Sequence, residues 1–293
     1  MNAKLPPLLL LLLAPLPVSA QQHKGSPNLE PALRQRKDIV FFCDFETDDW
    51  PAHWGLKAPP ATAETVSADA ALKFEPLAGK ALKVRIPQGQ NTGLNLSFFF
   101  KKMLGEEPEE IYFRYYVRFG DDWKDMADGG KMPGFAGTYN RAGWGGRQVN
   151  GSDGWSARGS YRRPRDGRTL LGFYCYHADM RGRYGDIWGW DREGLGQLEN
   201  NRWYCVEQYI KLNTPGTNGG RGKNDGILRA WIDGRPAFEK TDIRFRDVDT
   251  LKVERVWMNV YHGGTTPARS DHHLFIDNVV IARGPIGPLK PPR

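Results

Sequence analysis

Between Asp121 and Tyr176 glycines crowd together with aromatic and cationic residues, in Gly129-Gly-Lys131-Met-Pro-Gly134-Phe, Gly151-Ser-Asp-Gly-Trp-Ser156-Ala-Arg158 and Gly172-Phe-Tyr174-Cys-Tyr176-His. Ser156 and Arg158 are two apart, as are Tyr174 and Tyr176, and on strands that spacing puts each pair on one face. With Lys131 they form a candidate cluster of one amine, one guanidinium, one hydroxyl and two phenols. Such a set suits removal of a proton beside a carboxylate. The Arg158 fork matches a carboxylate in two-point fashion, and a cation there stabilises the enolate-like charge that builds as the proton leaves. Either phenol is a candidate base or acid, but a free phenol titrates near about 10, so as a base it needs lowering by Lys131 or Arg158. Lys131 is itself the alternative base if desolvation and neighbouring cations lower it. Ser156 is a candidate for positioning substrate. Taken singly, each residue also has an ordinary explanation as packing or a solvated charge.

The elements that must hold these groups read as strands. Ile39 to Phe45, Ala81 to Ile86, Leu94 to Phe100, Ile111 to Phe119, Leu170 to Tyr176, Trp203 to Leu212, Ile227 to Ile232, Val256 to Tyr261 and Leu274 to Ala282 are β-branched and aromatic, bounded by Gly, Pro, Asn or Asp. Helical periodicity is nowhere sustained. Asp233-Gly234 supplies the positive φ of a type I′ hairpin turn. Many short strands without intervening helices predict an all-β, single-domain sandwich of jelly-roll type over residues 38–285.

Along Ile111 to Phe119 alternation predicts a core face of Ile111, Phe113, Tyr115, Val117 and Phe119. The other face carries Tyr112, Arg114, Tyr116 and Arg118. That ladder suits a groove for an acidic sugar polymer, rings on pyranose faces and guanidinium forks on carboxylates, or else an ordinary solvated sheet face. Glu207, Gln208 and Lys211 are further candidates to line a groove. Strict alternation puts Glu207 and Lys211 on one face and Gln208 on the other unless a bulge intervenes. His262 is a secondary candidate base, because imidazole titrates near neutrality.

Lys131-Met-Pro-Gly134, Gly154-Trp-Ser156-Ala-Arg158, Tyr174-Cys-Tyr176 and Trp203-Tyr-Cys-Val-Glu207-Gln208-Tyr209-Ile-Lys211-Leu-Asn213-Thr-Pro-Gly216, in that order, resemble family 14 of the polysaccharide lyases. Asn224-Asp-Gly226, Trp231-Ile-Asp233-Gly234 and Phe275-Ile-Asp277-Asn278-Val extend the resemblance over most of residues 80–285. It implies a jelly roll whose concave sheet binds an acidic polysaccharide, with alginate or another polyuronate cleaved by β-elimination. It also implies Lys131, Ser156, Arg158, Tyr174 and Tyr176 as the catalytic set. The chain departs from the pattern in a glycine-rich loop, Thr217 to Lys223, and in the strand before His262-Gly-Gly264. Both departures bear on substrate identity more than on reaction type. The alternative from another class is a lectin-like sandwich that binds without chemistry.

Composition narrows the rest. The 293 residues are 40% hydrophobic and include 34 glycines without a collagen period, ten tryptophans and three cysteines, which excludes a disordered chain and a disulfide scaffold. Lys4, the apolar run Leu5 to Leu13 and Val18-Ser19-Ala20 read as a signal peptide over residues 1–20, its prolines breaking any membrane span. A secreted chain without stable membrane insertion is expected, with an exposed leader at 21–37 and a frayed proline-rich tail at 286–293. Its 41 Lys+Arg against 34 Asp+Glu give +7, lowered by the one charge of Lys4 on cleavage, which favours an anionic partner. No nucleic-acid module is recognisable. No cofactor is expected, and His272-His273 with Asp277 lack a clear metal-ligand set. Ser156 lacks a nucleophile elbow, and the paired carboxylates of a glycoside hydrolase strand are missing, since Glu46-Thr-Asp48-Asp49-Trp50 ends in Pro51. Cys175 and Cys205 either pair or stay as buried thiols. A monomer is expected.

Overall fold

Alternation settles the layers, because a strand with one apolar face is stable only when that face meets another. The computed structural model describes residues 30–124, 128–162 and 166–289; the expected signal peptide, the leader as far as residue 29 and the tail from 290 lie outside them. In chain order the strands are β1 (Ile39–Cys43), β2 (Ala63–Val66), β3 (Ala81–Ile86), β4 (Thr92–Phe99), β5 (Glu110–Phe119), β6 (Gly130–Gly137), β7 (Trp155–Arg162) and β8 (Thr169–Tyr176). They continue with β9 (Asp186–Gly189), β10 (Gln197–Leu198), β11 (Trp203–Lys211), β12 (Gly226–Ile232), β13 (Arg235–Ile243), β14 (Arg255–His262) and β15 (His272–Ala282). The short helix α1 (Pro31–Arg34) precedes β1, and α2 (Trp50–His53) and α3 (Phe100–Leu104) lie between strands.

The strands form two antiparallel sheets, one of eight strands in the order β13-β12-β11-β5-β15-β3-β2 with β1 also on β15, and one of seven in the order β10-β8-β7-β6-β14-β4 with β9 also on β8. Neighbours distant in sequence, such as β5 between β11 and β15, mark the crossing connections of a jelly roll. Phe113, Val117, Val206 and Ile210 of the larger sheet share one core with Phe135, Ala157, Phe173 and Met258 of the smaller. Phe113 meets Phe135 edge to face at 6.1 Å, and Phe173 meets Phe238 at 5.5 Å. The core face expected for β5 is buried as predicted.

Asp233 (φ 51°) and Gly234 (φ 78°) make the expected hairpin turn, with Ile232 opposite Arg235. The sequence reading passed over β6 and β7, because glycine and proline lower strand propensity. Close approach explains one of those glycines: a Cβ on Gly134 would lie 2.5 Å from the Ala157 carbonyl oxygen. All three cysteines are free and buried. Cys175 lies in the core, whereas Cys205 takes the face of β11 opposite Val206, so the thiol reading holds.

Glu30 of the leader and residues 286–289 of the tail lie on the outer face of the larger sheet, while Pro31, Ala32, Arg34, Gln35 and Lys37 are exposed. Glu30, just before α1, pairs with Arg114, and the Arg114 guanidinium also donates to the Gly287 carbonyl at 3.1 Å. The Ile286 and Gly287 amides donate to the Glu207 carboxylate at 2.9 and 2.7 Å, and the Leu289 amide to the Tyr116 hydroxyl at 2.5 Å. This cover satisfies both terminal nitrogens of the buried Arg114 guanidinium, which would be costly to bury without partners.

Candidate active site

Three neighbouring strands of the smaller sheet, β6, β7 and β8, build the site. Trp155, Ala157 and Tyr161 of β7 and Leu171, Phe173 and Cys175 of β8 enter the core, so Ser156, Arg158, Tyr174 and Tyr176 must face outward. Register then pairs Ser156 with Tyr176 and Arg158 with Tyr174, and sets Lys131 opposite Ser160. Ser160 is small and its own partner is Gly172, which leaves room beside them for a long side chain. The Lys131 ammonium sits 3.9 Å from the centre of the Tyr174 ring. All five predicted catalytic residues therefore occupy one face.

Burial sets their electrostatics. Arg158 donates to the Asn259 side-chain oxygen at 3.0 Å, and its guanidinium lies 4.6 Å from the Trp257 ring and 5.6 Å from that of Tyr174. Its Nε has no partner among the described residues. Neither Lys131 nor Arg158 is ion-paired to a described carboxylate, and no carboxylate figures in the electrostatics of either. Burial, followed by the nearby Arg158 charge, lowers Lys131 to about 8. Burial likewise lowers Arg158 to about 10 against the pull of the two phenols, and it stays cationic at neutral pH. The Tyr174 phenol is pushed up, by burial first and then by its contact with the Tyr176 hydroxyl at 3.4 Å. For Tyr174 the expected lowering is thus reversed, because loss of water outweighs the adjacent cations.

Ser156 and Tyr176 are completely buried and hold the loop between β6 and β7. The Ser156 hydroxyl donates to the Gly143 carbonyl at 2.6 Å, and the Tyr176 oxygen accepts the Gly146 amide at 2.9 Å. Both hydroxyls thereby brace the wall of the site beside Lys131, Arg158 and Tyr174.

The residues predicted to bind substrate lie elsewhere. Tyr112, Arg114, Tyr116 and Arg118 are on β5 in the other sheet, where Arg114 and Tyr116 meet the leader and tail. Arg118 donates to the backbone carbonyls of Asn201 and Lys73. Gln208 is in the interior, donating to the Pro133 carbonyl at 2.8 Å, and Lys211 is exposed at the end of β11. His262 is buried near His272 and Asp128, with burial lowering its imidazole. Each of these displacements follows from which sheet, or which face of a strand, carries the residue.

A fourth strand, β14, also contributes: from it the sequence reading offered only His262 and missed Trp257 and Asn259. Val256, Met258 and Val260 enter the core, so alternation along this recognised strand already places Trp257 and Asn259 on the outer face. The Trp257 indole donates to Asn95 of β4 at 2.7 Å, fixing its ring beside Arg158.

Residues 76–274 match the model of the family Polysaccharide lyase 14. No curated protein matches the sequence. An alginate lyase, solved as a mutant with alginate tetrasaccharide, shares 21% identity at a TM-score of 0.61 over 83% of this chain and 93% of its own. The marine PL-14 alginate lyase from Aplysia kurodai shares 18% at 0.60 over 83% and 98%. Endo-β-1,4-glucuronan lyase from the fungus Trichoderma reesei shares 18% at 0.53 over 84% and 96%. At such identities these likenesses concern the fold, while the family match spans more than half of the sequence and includes all five outward-facing residues. The chain belongs to polysaccharide lyase family 14.

Proposed function

We propose that the protein cleaves a 4-linked polyuronate, alginate or a glucuronan, by β-elimination, with Lys131 as base, Arg158 as carboxylate binder and Tyr174 as acid. The observation that carries this reading is Arg158 itself: a nearly buried guanidinium, oriented by Asn259 and Trp257, with no described carboxylate to neutralise it. Burying a charge in that state is costly unless an anionic ligand completes the site. A uronate carboxylate on the guanidinium would take up the charge that develops when C5 loses its proton.

Lys131 supports the next step. An amine lowered to about 8 is partly neutral near neutral pH and can accept the C5 proton, which a fully charged ammonium cannot. As the C4–O bond breaks, its electron pair goes to the leaving oxygen while the C5–H pair forms the C4=C5 double bond. Tyr174, held in its protonated form, donates to that oxygen. The two products are a new non-reducing end carrying the unsaturated uronate and a chain ending in the restored hydroxyl. The solved relatives named for alginate and glucuronan define the polymers to try first. The apolar run behind Lys4 and the Val18-Ser19-Ala20 cleavage pattern support export, which would bring the enzyme to extracellular polymer.

The test is a screen of mannuronate-rich alginate, guluronate-rich alginate and glucuronan for the ultraviolet absorbance of the conjugated product. A rise with at least one polymer is expected. Binding to these polymers with no rise on any of them would overturn the lyase reading in favour of a lectin-like protein.

A further inference from the structure

Beyond the reactive cluster, at the β4 edge of the smaller sheet, a cleft of about 490 Å³ opens between that sheet and the short helices α2 and α3. Trp257 and Arg255 form its side nearest Arg158, Asn95 its floor, Trp144 its loop wall, and Trp54 and Lys102 its far wall. The lining includes two cations and no carboxylate. Arg255 stacks on the Trp257 ring at 4.2 Å, so that Trp257 lies against both Arg158 and Arg255. The Arg255 guanidinium donates to the Thr138 hydroxyl at 2.9 Å, and its Nε is 4.0 Å from Glu254. That same Glu254 oxygen already accepts the Thr138 and Tyr139 amides, which leaves it a weak partner for Arg255. Lys102 is exposed and without a described ion pair.

Resting on the polyuronate reading above, we infer that this cleft is a distal subsite for a further uronate of the bound chain. The indoles of Trp144 and Trp257 supply apolar surface for a pyranose, and Lys102 and Arg255 supply positive charge for its carboxylate. Continuity carries the argument, since Trp257 belongs to both the cleft and the Arg158 environment. Trp54 and its neighbour Gly55 precede residue 76, so the family match does not reach this part of the far wall.

The experiment compares kcat/KM on oligouronates of increasing length for the wild type, Lys102→Ala and Lys102→Glu. Lys102 is on the surface, so both variants are expected to fold. The subsite predicts that the ratio of kcat/KM on long oligomers to that on the shortest cleaved oligomer falls about three- to fivefold in Lys102→Ala, the size of one exposed charge contact. The fall is larger in Lys102→Glu and shrinks in high salt, where such a contact is screened. A wild-type ratio in both variants overturns the subsite while leaving the lyase reading intact. A wild type that cleaves none of the oligomers overturns both.

Discussion

The two sheets each present rings and guanidinium groups on an outer face, yet they treat the charge oppositely. On the larger sheet the Arg114 guanidinium meets Glu30 and the backbone carbonyls of Asn278 and Gly287. Arg118 meets two backbone carbonyls, and Arg229 meets Glu239. On the smaller sheet Lys131 and Arg158 keep company with rings and an amide, and with no described carboxylate. In the first arrangement partners from the same chain hold the cations, those of Arg114 coming from the leader and tail as well as β15; in the second no described carboxylate does so. An alternating Tyr-Arg pattern therefore identifies a polar face without saying whether it is a site. What separates the two is whether another part of the same chain neutralises the cations.

The contrast breaks most decisively at Lys131. Replacing it with alanine is expected to lower kcat by about 10²–10⁴-fold, the usual contribution of a positioned general base. Product absorbance on the best polymer measures this, and wild-type kcat would remove Lys131 from the mechanism. Arg114→Ala should do the reverse, costing about 3–5 kcal/mol of stability because it removes a buried guanidinium that holds the Glu30 carboxylate and the carbonyls of Asn278 and Gly287 together. Denaturant unfolding gives the loss. If the folded variant instead kept its stability and lost turnover, the larger sheet would have to be counted as part of the site.

A smaller effect sharpens the electrostatic half of the comparison. The base works deprotonated, so kcat/KM should climb with pH to a midpoint of about 8 and fall about tenfold per unit well below it. Arg158 remains charged throughout that rise. A profile already flat from acidic pH upward would mean that the amine is not the titrating base. The smallest change is Ser156→Ala, which removes the bond to the Gly143 carbonyl and should cost about 1 kcal/mol in stability. Loss of turnover comparable to that of Lys131→Ala would show instead that this hydroxyl takes part in the reaction.

Much of this was legible from the sequence wherever the information is local. Alternation correctly assigned the inner face of β5. It also set Gln208 apart from Glu207 and Lys211, and the unbroken register of β11 with β5 shows that no bulge changes that division. The order of the motifs brought Lys131, Arg158 and Tyr174 into one proposal. The strands beneath the first two were harder to see, because backbone-to-backbone approach favours glycine where a strand signal calls for branched side chains. The cover over β5 left no local trace: Glu30 reaches Arg114 from 84 residues away, and Leu289 reaches Tyr116 from 173. The shift of Tyr174 was equally hidden, since the count of nearby cations suggests a lowered phenol and only burial reveals the opposite.

The placement of Glu30 and Leu289 has a practical consequence. Glu30 and Leu289 both contact β5, on the layer opposite Lys131. A probe or linker attached at either of these two residues would start from the back of the sandwich. Tethered at Glu30 or Leu289 themselves, the protein would turn its Lys131 face toward the surrounding solution.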